Sequence, residues 1–434
     1  MMKKEKIGVG IIGFGTVGTG VAKVLLGQAG LLQRRLGAEL ELVGIADLDL
    51  KRDRGVRVPK KILTKDAHRL IEDPRIQIVV ELIGGIHPAK EFILSAMAKG
   101  KHVVTANKAL LAAHGEEIFE AAHRTGVDIG FEGSVGGGIP IIRVLREGLS
   151  ANHIESIYGI INGTSNYILT KMTEEGKEFS DVLAEAKAAG YAEADPTLDV
   201  EGIDSAHKLA ILIFLAFGKS VQMKDIYVEG ITHISHVDIE HAESLGLTIK
   251  LLAIAKRAND QIEVRVQPTL ISKEHPLASV NGIFNAVLID TDPLGDILLY
   301  GQGAGQMAAA SGVMSDLINL AARHKSSSTI SVGNLFQDIC NFRLRSIDEI
   351  KTKFYLRFMA IDKPGVLSKI AGILGRHGIS IASVTQKMHR KSSAVPVVIL
   401  TDYAKEKMLR LSLQQITRLS VVKSRPVAIR MEKL

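Results

Sequence analysis

The residues best suited to chemistry form an acidic run that ends in a lysine. The segment GYAEADPTLDVEGIDSAHK, residues 190–208, places six charged side chains in sixteen positions: Glu193, Asp195, Asp199, Glu201, Asp204 and Lys208. Asp204 and Lys208 stand four residues apart at the start of a predicted helix, so they share one face. A desolvated lysine paired with a carboxylate suits proton transfer. A helix-capping aspartate with an ordinary i,i+4 ion pair would give the same spacing.

A second motif with chemical meaning is glycine-rich. GFGTVG places Gly13, Gly15 and Gly18 in the pattern GxGxxG, after an apolar run and before a helical pattern. Such glycines permit a tight turn and a close approach of the backbone to a pyrophosphate, and the helix N-terminus favours phosphate. The motif therefore predicts dinucleotide binding; a tight turn without a ligand is the structural alternative.

The acidic residue expected after the second strand leaves the type of dinucleotide open. Asp47 stands at the end of that strand and could accept from a ribose 2′-hydroxyl, which favours NAD. Lys51, Arg52 and Arg54 follow within a few residues and could hold the 2′-phosphate of NADP instead. Either group could also be solvated surface.

A third motif, TANK, covers Thr105 to Lys108 and follows a predicted strand. In a doubly wound sheet, this position lies at the carboxyl end of the strands, where ligands bind. The surrounding pattern supports such a sheet over residues 1–133, because apolar β-rich runs alternate with helical patterns. The predicted strands are 7–12, 40–46, 76–83, 101–105 and 127–131, and the helices include 16–26, 88–99 and 108–124.

The pattern changes after the glycine-rich segment 133–140, and residues 134–304 predict an α+β domain. Its predicted strands are 154–161 and 262–271, and its predicted helices are 205–217 and 246–257. A glycine-rich turn and a helix at 305–323 could return to close the first domain. Residues 324–352 predict a linker. Residues 353–434 follow the order βαββαβ, which is typical of a ferredoxin-like module.

Composition and charge exclude several classes of protein. The 434 residues are 46% hydrophobic and include a single cysteine, Cys340, so an intramolecular disulfide and a Cys-rich zinc site are excluded. Cys340 is predicted to be a packed apolar residue. The longest apolar run, 209–217, is far shorter than the ~20 residues of a membrane helix. We therefore expect a cytoplasmic protein without a membrane partner.

The net charge of +7 is unevenly distributed. Residues 353–434 carry a balance of +12, and the rest of the chain carries −5. A basic module can bind nucleic acid, but no nucleic-acid motif accompanies the charge. A solvated surface, or a face that docks on the acidic body, is the expectation.

Taken together, these motifs resemble homoserine dehydrogenase. GFGTVG, VVELIGG, TANK, FEGSVGGGIP, NGTSNYIL, the acidic run and YGQGAG lie in that family's order over residues 7–322. The tail, with DKPGVLSKIAGILGRHGISI, resembles an ACT domain. The resemblance implies a Rossmann-type nucleotide-binding domain, an α+β catalytic and dimerisation domain and a ferredoxin-like ACT domain. It also implies NAD(P)-dependent interconversion of L-homoserine and L-aspartate 4-semialdehyde, a step toward threonine, methionine and isoleucine.

The resemblance assigns roles to individual residues. Lys208 would be the general acid and base, Asp204 would orient it, and Lys108 would lie beside the nicotinamide. Glu193 and Asp199 would hold the substrate ammonium, with Tyr191 beside it. The cofactor-binding positions would be Gly13, Phe14, Gly15, Thr16, Val17, Gly18, Asp47, Arg52, Thr105, Lys108 and Gly303.

The resemblance also implies three further partners. A monovalent cation, usually sodium, would lie at Glu132, Val135, Gly137 and Ile139, the last three through backbone carbonyls. An amino acid effector, with L-threonine the natural candidate, would lie near Asp362, Gly365, Val366 and Ile379. A homodimer or homotetramer is expected, and a purely structural ACT module is the alternative to regulation. One departure is Leu48, which separates Asp47 from Asp49 where many members carry an Arg beside an Asp.

Two rival functions remain at this stage. Another amino-acid dehydrogenase, acting on aspartate or diaminopimelate, could share the cofactor fold, although the acidic run with Lys208 speaks against it. A non-catalytic amino acid sensor is the rival of another class. The presence of both Lys108 and Lys208 speaks against a sensor.

Overall fold

A computed structural model describes residues 5–326, 342–386 and 394–434. The chain divides into two compact units. The first unit comprises Met1–Glu155, His207–Lys224 and Phe284–Phe342, and the second comprises Ser156–Ala206, Asp225–Ile283 and Arg343–Leu434. Cys340 and the central part of the predicted linker lie outside the described residues.

Strands and helices in the described residues are numbered in chain order. The strands are β1 (Lys6–Ile12), β2 (Glu39–Ala46), β3 (Leu63–Thr64), β4 (Ile78–Glu81), β5 (His102–Thr105), β6 (Ile129–Gly130), β7 (His153–Ile160), β8 (Tyr227–Val228), β9 (Leu247–Ala258), β10 (Gln261–Ser272), β11 (Phe284–Asp292), β12 (Gly295–Gln302), β13 (Arg343–Leu344), β14 (Lys351–Ala360), β15 (Ile381–Gln386), β16 (Val395–Thr401), β17 (Ala404–Lys405) and β18 (Val427–Met431). The α-helices are α1 (Thr16–Gly27), α2 (Ala29–Leu36), α3 (Ala67–Glu72), α4 (Ala89–Ala98), α5 (Lys108–Thr125), α6 (Ile141–Arg143), α7 (Gly163–Glu175), α8 (Phe179–Ala188), α9 (Thr197–Val200), α10 (Ile203–Phe217), α11 (His236–Ser244), α12 (Gln306–Ser326), α13 (Val366–Arg376) and α14 (Glu406–Thr417).

The first unit contains the predicted doubly wound sheet. Its six strands are parallel and lie in the order β3-β2-β1-β4-β5-β6. The order reverses direction at β1, which is where an open sheet of this kind binds its ligand. Apolar side chains of β1, α1 and α12 share one buried core. α12 spans Gln306–Ser326. It begins one residue after the start of the helix predicted at 305–323 and ends three residues beyond it.

The second unit contains a sheet in the order β7-β9-β10-β18-β14-β16-β15. Its last four strands, together with α13 and α14, give the predicted βαββαβ order, and the apolar side chains of this module form a core of their own. The basic module, residues 353–434, shares a sheet with the preceding part of the second unit, because β18 pairs with β10 at Thr269↔Arg430. The guanidinium of Arg357 on β14 also contacts the buried Asp238 carboxylate of α11 at 2.6 Å. The basic module thus contacts the preceding residues of the second unit through backbone pairing and through the Arg357–Asp238 ion pair.

The helix predicted at 246–257 is wrong, because this segment is the strand β9. β9 pairs antiparallel with β10 along its whole length, through a two-residue turn at Asn259 and Asp260. Asn259 adopts a φ of +57°, the left-handed conformation that such hairpin turns need. Most of β9 is buried on both faces, so its sequence lacks the alternation that distinguishes a strand from a buried helix.

Both ends of the predicted linker 324–352 are regular structure. α12 extends through Ser326, and β14 begins at Lys351. Among the described residues, no helix is long and apolar enough to cross a membrane.

Candidate functional site

The glycine motif forms the turn between β1 and α1, and its three glycines are needed for different reasons. Gly13 has a φ of +104° and packs on the backbone of Leu82. A Cβ on Gly18 would lie 2.0 Å from the carbonyl oxygen of Gly13. A Cβ on Gly15 would meet no atom within 4 Å, and this residue precedes the first turn of α1. The open space at Gly15 and the N–H groups of Thr16 and Val17 are suited to a pyrophosphate.

The carboxylate of Asp47 is engaged in holding this turn. Its Oδ2 accepts from the backbone N–H of Phe14 at 2.6 Å, and its Oδ1 accepts from Asp49 N–H at 2.8 Å. Arg54 pairs with the same carboxylate at 3.2 Å and also donates to the backbone oxygens of Phe14 and Arg52. Both side chains are therefore committed to the loop. Asp47 and Arg54, two of the four predicted 2′-ligands, are thus already bonded to the loop, whereas Lys51 and Arg52 have exposed side chains.

Beside this loop lies a cavity of about 550 Å³ with a basic rim. Its apolar part includes Phe14, Val56 and Val58, which suits the flat face of an adenine. The exposed side chains of Arg52, Arg57 and Lys60 also line it, and they are suited to a phosphate. Arg52 was predicted from the sequence as a phosphate ligand, whereas Arg57 and Lys60 were not. In the segment RGVRVPKK, residues 54–61, basic residues are interspersed with Val56, Val58 and Pro59. This pattern of basic and apolar residues could have indicated Arg57 and Lys60 from the sequence.

The TANK motif is fixed by a buried acid that sequence analysis did not single out. Glu81 ends β4, is fully buried, and accepts from the hydroxyl of Thr105 at 2.7 Å. Burial raises the pKa of Glu81, while the hydrogen bond from Thr105 acts in the opposite direction. The Thr105 hydroxyl in turn accepts from the N–H of Asn107, whose side chain caps α5. Lys108 is consequently the half-buried first residue of α5.

In the second unit, one asparagine brings two acids of the predicted run together. Nδ2 of Asn162 donates to Oδ1 of Asp199 at 2.7 Å and to Oδ2 of Asp204 at 2.9 Å. Oδ1 of Asn162 caps α7 by accepting from Ser165 N–H at 2.8 Å. Asn162 belongs to the NGTSNYIL motif, but its bridging role was missed, because nothing local in the sequence links it to residues 199 and 204.

The other predicted substrate residues lie in the exposed loop between α8 and α9. Thr164 donates to the backbone oxygen of Tyr191 at 2.7 Å, and the Tyr191 ring lies 4.8 Å from that of Tyr167. Tyr191 is 44% exposed, and the carboxylate of Glu193 is exposed as well. This loop is thus anchored to α7 while its side chains stay accessible to a solute.

Asp204 and Lys208 lie one turn apart on α10, as predicted. Asp204 is 5% exposed and Lys208 is 8% exposed. The two side chains belong to different units of the chain, Asp204 to the second and Lys208 to the first.

The predicted cation ligands are buried in the first unit. Both carboxylate oxygens of Glu132 accept backbone N–H groups, from Ile142 at 2.8 Å and from Arg143 at 2.9 Å. Val135, Gly137 and Ile139 follow in the same buried segment. Burial raises the pKa of Glu132 and raises that of the neighbouring Asp316 to about 7. Among the described residues, no group of three His, Cys, Asp or Glu side chains could hold a metal, so backbone carbonyls would have to complete a site.

Gly303 has a packing role of its own. A Cβ there would lie 2.1 Å from the side chain of Asn285, and the Gly303 carbonyl lies 2.7 Å from where a Cβ of Gly137 would stand. This crowding requires glycine at position 303 whether or not a cofactor touches it.

The four predicted effector residues divide into two pairs. Asp362 and Gly365 are exposed, and Asp362 accepts from Gln386 Nε2 at 3.2 Å. Val366 and Ile379 are 6% and 3% exposed and belong to the core of the C-terminal module. Only the first pair is accessible to a solute in this conformation.

Comparison with known protein families matches three regions of the chain. Residues 13–132 match the homoserine dehydrogenase NAD-binding domain, and residues 140–318 match homoserine dehydrogenase. Residues 354–407 match the ACT domain.

Full-length relatives agree with these matches. The homoserine dehydrogenase of Synechocystis is 44% identical over 97% of this chain and 98% of its own length. That of Neisseria gonorrhoeae is 43% identical over 99% of both chains. The crystal structure of a homoserine dehydrogenase from Thiobacillus denitrificans superposes with a TM-score of 0.92, at 43% identity over 100% of this chain and 99% of its own. A hyperthermophilic archaeal homoserine dehydrogenase in complex with NADPH gives a TM-score of 0.62, at 30% identity over 75% of this chain and 99% of its own.

The basic cavity generates a prediction about dinucleotide choice. The double substitution Arg57→Ala/Lys60→Ala removes two cations from the cavity, and NADP differs from NAD only in the 2′-phosphate. We expect the affinity for NADP⁺ to fall by about 10–100-fold, the worth of one charge-assisted hydrogen bond or slightly more. The affinity for NAD⁺ should change little. Isothermal titration calorimetry with both dinucleotides measures this.

Lys61→Ala is the matched control, because Lys61 is an exposed neighbour outside the cavity lining. An equal loss of NAD⁺ and NADP⁺ affinity in the double variant would contradict the assignment. It would mean that Arg57 and Lys60 contact a part common to both dinucleotides.

Proposed function

The chain belongs to the homoserine dehydrogenase family of NAD(P)-dependent oxidoreductases, and from this premise we propose a specific reaction and role for each site residue. The reaction is the interconversion of L-homoserine and L-aspartate 4-semialdehyde, on the route to threonine, methionine and isoleucine. The observation that carries the proposal is the pair Asp204 and Lys208, buried one turn apart on α10, with Asp204 held by Asn162.

In the proposed reaction, a bound nicotinamide would supply or accept a hydride at the carbon that changes between alcohol and aldehyde. Lys208 moves the proton. When homoserine is oxidised, the amine of Lys208 accepts the proton of the substrate hydroxyl. When the aldehyde is reduced, the ammonium of Lys208 returns a proton to the substrate oxygen. Asp204 orients Lys208 and stabilises its charged form. Lys108, at the start of α5, adds positive charge beside the reacting oxygen.

The substrate is an amino acid, and its ammonium requires an anionic partner when it leaves water. Glu193 is exposed, and its carboxylate forms no hydrogen bond or ion pair with the described residues, so it can bind this ammonium. Asp199 is the second partner, and its orientation is set by the bond from Asn162. Tyr191 flanks the site from the same loop as Glu193.

For the cofactor, we propose NADP as the preferred dinucleotide. Two observations support this. Arg52, Arg57 and Lys60 line the cavity, and Asp47 is already hydrogen-bonded to Phe14 and paired with Arg54. The archaeal relative in complex with NADPH shows that a member of the family takes the phosphorylated form.

The general acid and base can be tested directly by substitution. Lys208→Ala removes the amine, and we expect kcat to fall by about 10²–10⁴-fold, which is the usual contribution of such a group. The Kd for NADP⁺ should stay the same. The measurement is the initial rate of homoserine oxidation at saturating cofactor, with the cofactor Kd taken from calorimetry. Lys219→Ala is the control, since this lysine lies just beyond the end of α10. A variant that keeps its rate to within a few-fold would remove Lys208 from the chemistry.

A monovalent cation at the buried segment 132–139 is also part of the proposal. A carboxylate with backbone carbonyls is a hard oxygen set that suits Na⁺, and each oxygen of Glu132 retains a second lone pair. A nearby cation would offset the burial that raises the pKa of Glu132 and Asp316.

We expect the rate in NaCl to exceed that in choline chloride at equal ionic strength by several-fold, and Glu132→Gln to lose this difference. Equal rates in both salts for the parent enzyme would refute the cation site.

Regulation by an amino acid, with L-threonine the first candidate, is proposed for the ACT domain. Asp362 and Gly365 are accessible at the turn before α13, where such a ligand would bind. Because β18 pairs with β10 inside the sheet of the second unit, deleting the tail would disrupt that sheet, and a point variant gives a cleaner test.

Asp362→Ala should raise the threonine concentration for half-inhibition about tenfold or more, while the uninhibited rate stays unchanged. Rates are measured over a range of threonine concentrations. The control is Asp402→Ala, an exposed aspartate in the same module. If threonine inhibits neither the parent nor the variants, the effector role fails and a structural ACT domain remains.

A further inference from the structure

A buried lysine in the second unit has no place in the chemistry described above. Lys250 lies on β9 and is 3% exposed. Its Nζ donates to the backbone oxygen of Val280 at 2.6 Å and to Oδ1 of Asn281 at 3.0 Å. Both acceptors are neutral, and the described residues place no carboxylate within ion-pairing distance of it. A buried ammonium without a counter-charge is costly. Burial accordingly lowers the pKa of Lys250 to about 8, although the charge of Glu174 acts in the opposite direction.

Lys250 lines a cavity of about 230 Å³. The cavity lies between the C-terminal half of α7, the start of β9 and the loop 273–281, all within the second unit. An ammonium carries three N–H donors. The described residues supply acceptors for two of them, so one donor remains for an occupant of the cavity.

The charges around the cavity balance. Glu174, at the end of α7, is exposed and lines the same cavity as Lys250, and its charge acts to raise the pKa of Lys250. Lys273 and Glu243 on the rim neutralise each other through an ion pair of 2.7 Å. An inorganic anion would meet Lys250 but would be repelled by Glu174. A ligand with one anionic and one cationic end would satisfy both.

From this arrangement we propose that the cavity binds a free α-amino acid, with its carboxylate on Lys250 and its ammonium toward Glu174. This is a site separate from the substrate residues and from the ACT turn, and it does not depend on the proposed reaction.

The size and wall of the cavity limit the side chain of this amino acid. A cavity of roughly 150 Å³ accommodates benzene, so about 230 Å³ suits a small amino acid. Leu169, Ile249 and Ala278 form an apolar part of the wall. The hydroxyls of Thr170 and Thr173 are engaged with backbone oxygens of α7, at 2.7 Å and 2.8 Å. A short aliphatic or hydroxylated side chain, as in alanine, valine or threonine, fits this lining.

A purely structural role for Lys250 is the competing explanation. The backbone oxygen that Lys250 contacts also accepts from Nδ2 of Asn166 at 3.1 Å, so the lysine helps to hold the loop against α7. That role explains the contacts to Val280 and Asn281. It does not explain the charged Glu174 at the rim, the remaining donor, or the cavity that Lys250 lines.

Isothermal titration calorimetry of the full chain tests the proposal, with L-alanine, L-valine and L-threonine as probes and inorganic phosphate as the anion comparison. We expect at least one amino acid to bind, and Lys250→Met to weaken it by about tenfold or more. Glu174→Gln should weaken it several-fold. Lys171→Met is the matched control, because Lys171 is on α7, pairs with Glu175 and does not line the cavity. L-Threonine is titrated also in the Asp362→Ala background, so that binding at the ACT turn is separated.

Proton uptake provides a second measurement. A carboxylate beside Lys250 stabilises the ammonium, so at pH 8.5 binding should take up a fraction of a proton. Titration in two buffers of different ionisation enthalpy detects this uptake, which should disappear in Lys250→Met.

Three outcomes would overturn the proposal. The first is that no amino acid binds outside the substrate and ACT sites. The second is binding that survives both Lys250→Met and Glu174→Gln. The third is phosphate that binds as well as the amino acids and is strengthened by Glu174→Gln, which would indicate a simple anion site. If Lys250→Met does not fold, Glu174→Gln and Ser279→Trp decide, because both positions are exposed and the tryptophan would fill the cavity.

Discussion

The proposed substrate site depends on the side chain of one residue, Asn162. Its oxygen caps α7 and its nitrogen bridges Asp199 and Asp204, so a helix start and two acids share one amide. An amide suits this position because it offers an acceptor to the helix and two donors to the acids at once. A carboxylate would repel both acids, and a hydroxyl could not span the three partners. The amide of Asn162 thus links Asp199 and Asp204 to each other and to the start of α7.

In the predicted cofactor site of the first unit, one side chain also makes several contacts. Asp47, which occupies the position that marks NAD-binding proteins, holds the glycine turn and is neutralised by Arg54. An acid at this position therefore does not by itself identify the dinucleotide. Its oxygens must also be accessible to a ligand, and here both already accept hydrogen bonds from the loop. The exposed charged side chains that line the cavity are Arg52, Asp53, Arg57 and Lys60, so the local potential that a ligand meets is positive on balance.

The sequence predicted those features that depend on neighbouring residues. The parallel sheet of the first unit, the glycine turn and the βαββαβ order of the tail followed from runs of apolar residues separated by turn residues. The strand β9 was mistaken for a helix because a segment buried on both faces has no alternation. Asn162, Glu81 and Lys250 were not singled out, because each acts on residues that are distant in the sequence and met only in the folded chain. The homoserine dehydrogenase family and its oxidoreductase activity were recognised from motifs and are confirmed by the relatives.

The way the C-terminal module joins the chain bears on how it could regulate. A domain on a flexible linker can signal only through contacts that form and break. Here β18 is hydrogen-bonded to β10, and Asp238 accepts from Arg357 and from Tyr355 across the same junction. Removing one partner of such a buried ion pair typically costs about 3–5 kcal/mol, so the junction does not open easily. A ligand at the turn before α13 would therefore act by small shifts of a continuous sheet. The same sheet includes β9, which carries Lys250. Helix α7 begins next to Asn162, whose side chain contacts Asp204, and it ends at the Lys250 cavity.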